Sequence, residues 1–175
     1  MNTVLSCLET RRSIRGYKAD KIPSQTLIDQ IIKAGTYAPT GRGLQSPIII
    51  AITNKGIRDK LSKLNAKVLG TTSDPFYGAP IVFLVLADKD RPTYLYDGSL
   101  VMGNLLNAAH AVGLGSCWIH RAKEVFESKE GKALLQEWGI KGNYEGIGHC
   151  IIGYPLEEKV PEALPRKSNY VYYIK

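Results

Sequence analysis

The chain has 175 residues, 44% hydrophobic and 22% charged, an ordinary globular composition long enough to bury a substantial core, so a single domain over residues 1–175 is expected. Twenty-three Lys and Arg against sixteen Asp and Glu leave a net charge of +7, which favours an anionic partner: nucleic acid, an anionic membrane surface, or a phosphorylated cofactor or substrate. Cys7, Cys117 and Cys150 are odd in number, widely spaced and without a CxxC pair, which argues against a disulfide framework or a structural zinc site and for reduced thiols in a cytoplasmic protein.

Met1 to Arg12 carries Val4, Leu5 and Leu8 interrupted by Glu9, a pattern for an amphipathic helix rather than a signal peptide. From Ser24, a capping residue, the spacing of Leu27, Ile28, Ile31 and Ile32 predicts a helix ending near Gly35 to Pro39. Pro47 to Ile52 is a short β-branched run expected as a strand covered on both faces. Lys55 to Leu69 has the apolar spacing of a surface helix, and Gly70 to Gly78 reads as loop. Ile81 to Ala87 repeats the buried-strand signature, within an apolar run about half of the roughly 20 residues that a membrane-spanning helix needs. Ser99 to Val112 is apolar and small almost all round, a helix expected to be buried on most sides and stopped by Gly113 and Gly115. Glu124 to Trp138 follows as one helical stretch, Gly146 to Tyr154 as a third buried strand, and Tyr170 to Ile174 as a fourth strand-like piece.

The densest charge cluster is Arg11-Arg12-Ser13-Ile14-Arg15. Guanidinium forks beside a hydroxyl suit a phosphate dianion, because bidentate charge-assisted hydrogen bonds are the strong ones; the bland alternative is a solvated basic turn after a helix. Arg166-Lys167 forms a second basic pair, in a segment held extended by Pro161 and Pro165, and the two clusters could converge on one phosphate. Ala38 to Pro47 is a loop rich in glycine and hydroxyls leading into the first buried strand. No GxGxxG follows that strand, so a doubly wound dinucleotide fold lacks its main signal. His149-Cys150 with His110 or His120 has no recognised metal-ligand spacing, and His149 in an apolar strand reads as a satisfied core histidine. The remaining Lys and Arg are spread over several helices without a nucleic-acid-binding motif, so neither metal, nucleic acid nor membrane is expected as a partner.

Taken in order, RRSIRGY, APTGRGLQSP, FYGAPIVFLVLAD, DGSLVMGNLLNAAHAVGLGSCWI and GIGHCIIGYP make the chain resemble the nitroreductase-like flavoproteins over nearly its whole length. The resemblance implies an α+β nitroreductase-like fold, a central mixed and mainly antiparallel sheet surrounded by helices. It further implies a homodimer formed through long central helices, with FMN at the subunit interface. It assigns Arg11, Arg12, Ser13 and Arg15 to the FMN phosphate, ribityl chain and nearby ring edge, and Arg166 and Lys167 as late phosphate contacts. Gln45 is similar to the family's glutamine beside the flavin, and Asn65 to an asparagine reaching the pyrimidine edge. The stretch Ser116 to Arg121, with Trp118, Ile119 and His120, aligns with the turn lying along the isoalloxazine. Thr40, Gly41, Arg42 and Arg121 are the implied acceptor contacts.

Three departures stand out. Gly43 replaces a common asparagine, Ser46 separates Gln45 from Pro47, and His120 and Arg121 stand where many relatives have a glycine or an acidic residue, which adds cationic or proton-donating capacity at the substrate face, an arrangement that could favour anionic acceptors. The activity implied is FMN-dependent oxidation of NADH or NADPH with ping-pong reduction of nitroaromatics, quinones or similar small electrophiles, the chemistry carried by the cofactor rather than by a catalytic side chain. The alternative within the same superfamily is a specialised dehalogenase, a heterocycle dehydrogenase or a flavin-binding protein without general reductase activity. The near-minimal length, with only Leu69 to Gly78 available as a lid, favours the open reductase pocket.

Overall fold

A computed structural model describes residues 2–175. Its elements in chain order are α1 (Thr3–Thr10), α2 (Gln25–Thr36), β1 (Pro47–Ile52), α3 (Lys55–Leu69), β2 (Ile81–Asp88), α4 (Tyr94–Ala111), β3 (Gly115–Ile119), α5 (Ala122–Glu127), α6 (Lys129–Glu137) and β4 (Tyr144–Gly153). The strands form one sheet in the order β1-β2-β4-β3, with every pairing antiparallel. Parallel contact among the described residues is limited to an isolated bridge between Ser13 and Ser116. The class is α+β, as expected.

Alternation along β2 divides the core into two layers. Val82, Leu84 and Leu86 face a layer with Leu61 of α3, Val125 of α5 and Leu134 of α6. Ile81, Phe83, Val85 and Ala87 face a second layer with Ile28 and Ile31 of α2 and Val101, Met102 and Leu105 of α4. Both faces of β2 are covered, which is why its sequence is apolar at successive positions instead of alternating. Each fully buried Leu or Phe there contributes roughly 1.5–3 kcal/mol.

Local signals account for most boundaries. Ser24 Oγ accepts from Leu27 N, and Asn54 Oδ1 from Ile57 N at 3.0 Å, satisfying first-turn amides of α2 and α3. Gly70 ends α3 in the left-handed conformation (φ 74°).

Several expectations need correction. The helix predicted over Glu124 to Trp138 is two helices, because the Ser128 backbone is extended between them and its Oγ accepts from Gly131 N at 3.0 Å, starting α6 afresh. α4 begins at Tyr94, a full turn before Ser99, and it is not buried on most sides: Tyr96 is 71% and Leu100 47% exposed. β1 is an edge strand, half-buried over most of its length, rather than covered on both faces. The fourth strand is Gly115–Ile119, not Tyr170 to Ile174, whose residues lie outside any strand and are exposed. The aromatic and β-branched residues there have strand propensity, but among the described residues they pair with no strand, and propensity without pairing does not make one. Met1, the first residue of the predicted N-terminal helix, lies outside the described residues.

Candidate functional site

The first basic cluster begins where α1 ends. Arg11 is its C-cap, and Arg12 Nη1 turns back to donate to Glu9 O at 2.8 Å and Arg11 O at 2.7 Å, satisfying carbonyls the helix leaves open. The chain then docks on β3: Ile14 N donates to Ser116 O at 2.9 Å, and the Ile14 side chain covers Gly115, where a Cβ would lie 2.8 Å from Ile14 Cγ1. Tyr17 closes the turn by donating to Ile14 O at 2.9 Å. Arg11 Nη1 is buried without a hydrogen-bond partner. The charges of Arg15 and Arg11 and a hydrogen bond to Ser13 reach Cys117, yet burial dominates and raises that thiol's pKa.

The second cluster meets the first in part. Leu8, Glu9, Arg11 and Arg12 line one side of a recess of about 620 Å³, and Leu164, Pro165 and Arg166 line the other. Arg166 Nε donates to Leu164 O at 3.2 Å. Lys167 is not among the lining residues; its ammonium lies 5.6 Å from the centre of the Tyr170 ring.

The Thr40–Ser46 loop is tightly wound, with Arg42, Gly43 and Gln45 at φ 55°, 67° and 50°. Gln45 N donates to Thr40 Oγ1 at 3.0 Å, leaving the Gln45 and Arg42 side chains exposed. A residue not singled out from the sequence fastens this loop: buried Asp97 accepts from Gly41 N at 2.9 Å, Ser46 Oγ at 2.8 Å and Thr93 Oγ1 at 3.1 Å. The lone acidic residue in the apolar run that became α4 was the available signal for it.

At the far end of β3, Trp118 lies over Gly148, where a Cβ would come within 2.2 Å of Trp118 Nε1. Ile119 is buried opposite His149, and His120 is exposed. Arg121 has a left-handed backbone (φ 73°) and its Nε donates to Asn65 Oδ1 at 3.0 Å. Asn65 is fully buried, and its Nδ2 donates to His120 O at 2.8 Å and stands 3.5 Å from His149 Nδ1. The side-chain amide of Asn65 is thus spent inside the protein, on the residues that follow β3. His149 is a core histidine but not a satisfied one: Nε2 has no partner, and burial, reinforced by the Arg121 charge, pushes its pKa down to about 3.

These groups do not all meet within one chain. Thr10 bonds His110 at 2.9 Å near the C-terminal end of α4, whereas Gly41 bonds Asp97 in its first turn. At a rise of about 1.5 Å per residue, the Arg11–Ser13 cluster and the Thr40–Gln45 loop are therefore roughly 20 Å apart along α4. What they share is charge. Among the described residues Arg58 and Arg91 pair with carboxylates, whereas Arg11, Arg12, Arg15, Arg42, Arg121 and Arg166 have none within 4.0 Å. The arginines left without a carboxylate are the ones in the candidate site.

Comparison with known proteins shows which family the chain belongs to. The sequence pattern described as Nitroreductase family matches residues 8–73 and 69–154. A protein of Archaeoglobus fulgidus, provisionally named an NADH dehydrogenase/NAD(P)H nitroreductase, is 31% identical over 91% of this chain and 89% of its own. A Bacteroides fragilis nitroreductase solved with bound FMN superposes with a TM-score of 0.88 at 25% identity, covering 100% of both chains. One from Desulfitobacterium hafniense, also with bound FMN, gives 0.87 at 22% identity, again over 100% of both. With the family pattern running from the first basic cluster to the end of β4, this chain belongs to the nitroreductase family of oxidoreductases.

Proposed function

We propose that this protein is an FMN-dependent NAD(P)H oxidoreductase that reduces small electrophilic acceptors such as nitroaromatics or quinones, as a homodimer of chains each folded as one domain over residues 1–175. The observation that carries the reading is the recess lined by Arg11, Arg12 and Arg166, together with a buried Arg11 Nη1 that has no hydrogen-bond partner. A buried guanidinium N–H without an acceptor is costly, and a phosphate dianion supplies acceptors of the right charge. Arg11 and Arg166, which line the recess, are therefore the residues to hold the FMN phosphate, and the family resemblance adds Ser13 and Arg15, which do not line it, towards the ribityl chain and ring edge, with Arg12 fixing the end of α1 and Lys167 an outer contact. Bound FMN would supply the hydride chemistry.

The protein's part is binding, orientation and electrostatics. Trp118 to Arg121 form the edge along which the ring would lie, and Arg15 offers positive charge for an electron-rich ring. Asn65 acts at one remove, by orienting Arg121. The donor nucleotide and the acceptor would occupy the same open face in turn.

The distance along α4 favours the dimer. One chain cannot bring Thr40, Gly41, Arg42 and Gln45 to its own Arg11–Ser13 cluster, but a second copy packed antiparallel along α4 brings its loop there. The outer face of α4 suits this: Tyr96 and Leu100 are exposed, and Gly103 has nothing within 4 Å of where a Cβ would stand, so another backbone can approach closely. Exposed Val4, Leu5 and Leu8 of α1, with Leu164 and Tyr170 to Ile174 of the tail, add apolar surface for a partner to cover.

The test is the visible spectrum of the purified protein followed by anaerobic titration with NADH and with NADPH. A flavin spectrum that bleaches with either nucleotide is expected. Flavin that resists bleaching would overturn the reductase reading, and failure to bind added FMN would overturn the cofactor assignment.

A further inference from the structure

We propose that Arg121 binds an anionic group on the acceptor, so that the preferred acceptors are small molecules carrying a carboxylate. This deepens the reductase reading and rests on it for the placement of the β3 edge at the acceptor site.

Four observations converge on Arg121. Its backbone is left-handed at φ 73°, a conformation that strains a non-glycine residue and that glycine would adopt freely. Its side chain is fixed from beneath: Nε donates to Asn65 Oδ1, and Asn65 is itself held by its bond to His120 O in a fully buried position beside His149. With Nε committed, the Nη1 and Nη2 edge remains, the pair of parallel donors that matches the two oxygens of a carboxylate. No carboxylate of the described residues lies within 4.0 Å to neutralise it, although Lys123, two residues on, pairs with Glu145 at 3.1 Å.

The neighbouring acid is thus taken by Lys123, while the better carboxylate receptor is left half-buried, rigid and open. A pre-oriented guanidinium loses little freedom on binding, and partial burial weakens its competition with water. The diphosphate of a nicotinamide nucleotide shares the anionic chemistry, but a single guanidinium with one free edge fits one carboxylate better than a diphosphate, which calls for several donors.

The experiment is calorimetric titration of the purified flavin-containing protein with 4-nitrobenzoate, with its neutral methyl ester, and with ADP. The acid is expected to bind at least about tenfold more tightly than the ester, with the preference falling as salt is raised. Arg121→Gln and Arg121→Gly should reduce that preference to within about twofold, and Arg121→Lys should restore part of it. The glycine variant relieves the positive φ, so backbone strain cannot account for its loss.

Equal binding of acid and ester, a preference that survives in both variants, or ADP binding with the same dependence on Arg121 would each overturn the proposal. Its failure is separable from that of the reductase reading. If NAD(P)H bleaches the flavin but the acid is not preferred, only the anion site falls; if the acid is preferred through Arg121 but the flavin does not bleach, only the reductase reading falls.

Discussion

The buried carboxylate of Asp97 accepts a hydrogen bond from the backbone N–H of Gly41 at 2.9 Å, tying the start of the Thr40–Ser46 loop to the first turn of α4. The same carboxylate accepts from Ser46 Oγ at the other end of the loop, so one side chain closes both ends. The left-handed residues between them are held in place by this closure.

Asp97→Ala would leave Gly41 N and Ser46 Oγ without their acceptor in a half-buried to buried setting. A loss of about 2 kcal/mol is expected, from the usual worth of hydrogen bonds to a charged acceptor. Urea unfolding would read it, and limited proteolysis should cut first between residues 40 and 46. An unchanged urea midpoint would mean that the loop is held by something else.

Replacing Arg11 and Ser13 together with Ala should strip bound FMN without unfolding the chain. Neither side chain is part of the apolar core, so the far-ultraviolet circular dichroism should be unchanged while the visible absorbance of the desalted protein is lost. Retention of stoichiometric flavin would refute the phosphate assignment.

Gly146 packs against the turn after Arg121: a Cβ there would lie 2.3 Å from the Ala122 carbonyl carbon and 2.4 Å from its oxygen. It stands where the β2–β4 register shifts, after Val85, which brings β4 close under α5. Because the clash is with backbone, Gly146→Ala should cost about 1–3 kcal/mol. The variant should also weaken binding of 4-nitrobenzoate by displacing Arg121. A thermal midpoint equal to that of the parent would show that the close approach is not obligatory.

His149 makes stability depend on pH. Burial holds its pKa at about 3 in the folded state, whereas an unfolded chain takes up the proton near the ordinary value of 6.5. Its contribution is therefore fully present above pH 6.5 and is lost progressively as pH falls from 6.5 towards 3, at up to about 1.4 kcal/mol per pH unit. Unfolding free energies between pH 7.5 and 5, above the range where carboxylates dominate, should show that slope in the parent and a flatter one in His149→Gln. Parallel slopes would locate the pH dependence elsewhere.

Much of the fold was legible where local chemistry and burial agree. Ser24 is a strong cap whose helix starts where it predicts, and Ile81 to Ala87 is so apolar that only a strand covered on both faces suits it. β3 was not legible, because Gly-Ser-Cys-Trp-Ile has mixed propensity and is a strand only through pairing with β4. The break at Ser128 was hidden because an amphipathic pattern runs through it, while the capping bond to Gly131 N needs an extended serine. Of the site, the arginine clusters were readable by residue type; the roles of Asp97 and of Asn65 towards Arg121 were not.

The sequence by itself determined most of the helices, the buried strands β2 and β4 and the clustering of positive charge at Arg11 to Arg15 and Arg166, since these follow from short-range periodicity, capping and residue type, while the class of fold came with the family resemblance. Only the tertiary structure decided which groups share a site and which arginines stay without a carboxylate. The Asp97–Gly41 and Asn65–Arg121 bonds each join residues 56 apart in the chain, and no local pattern encodes a contact that exists only once the sheet has brought its flanking helices and loops together.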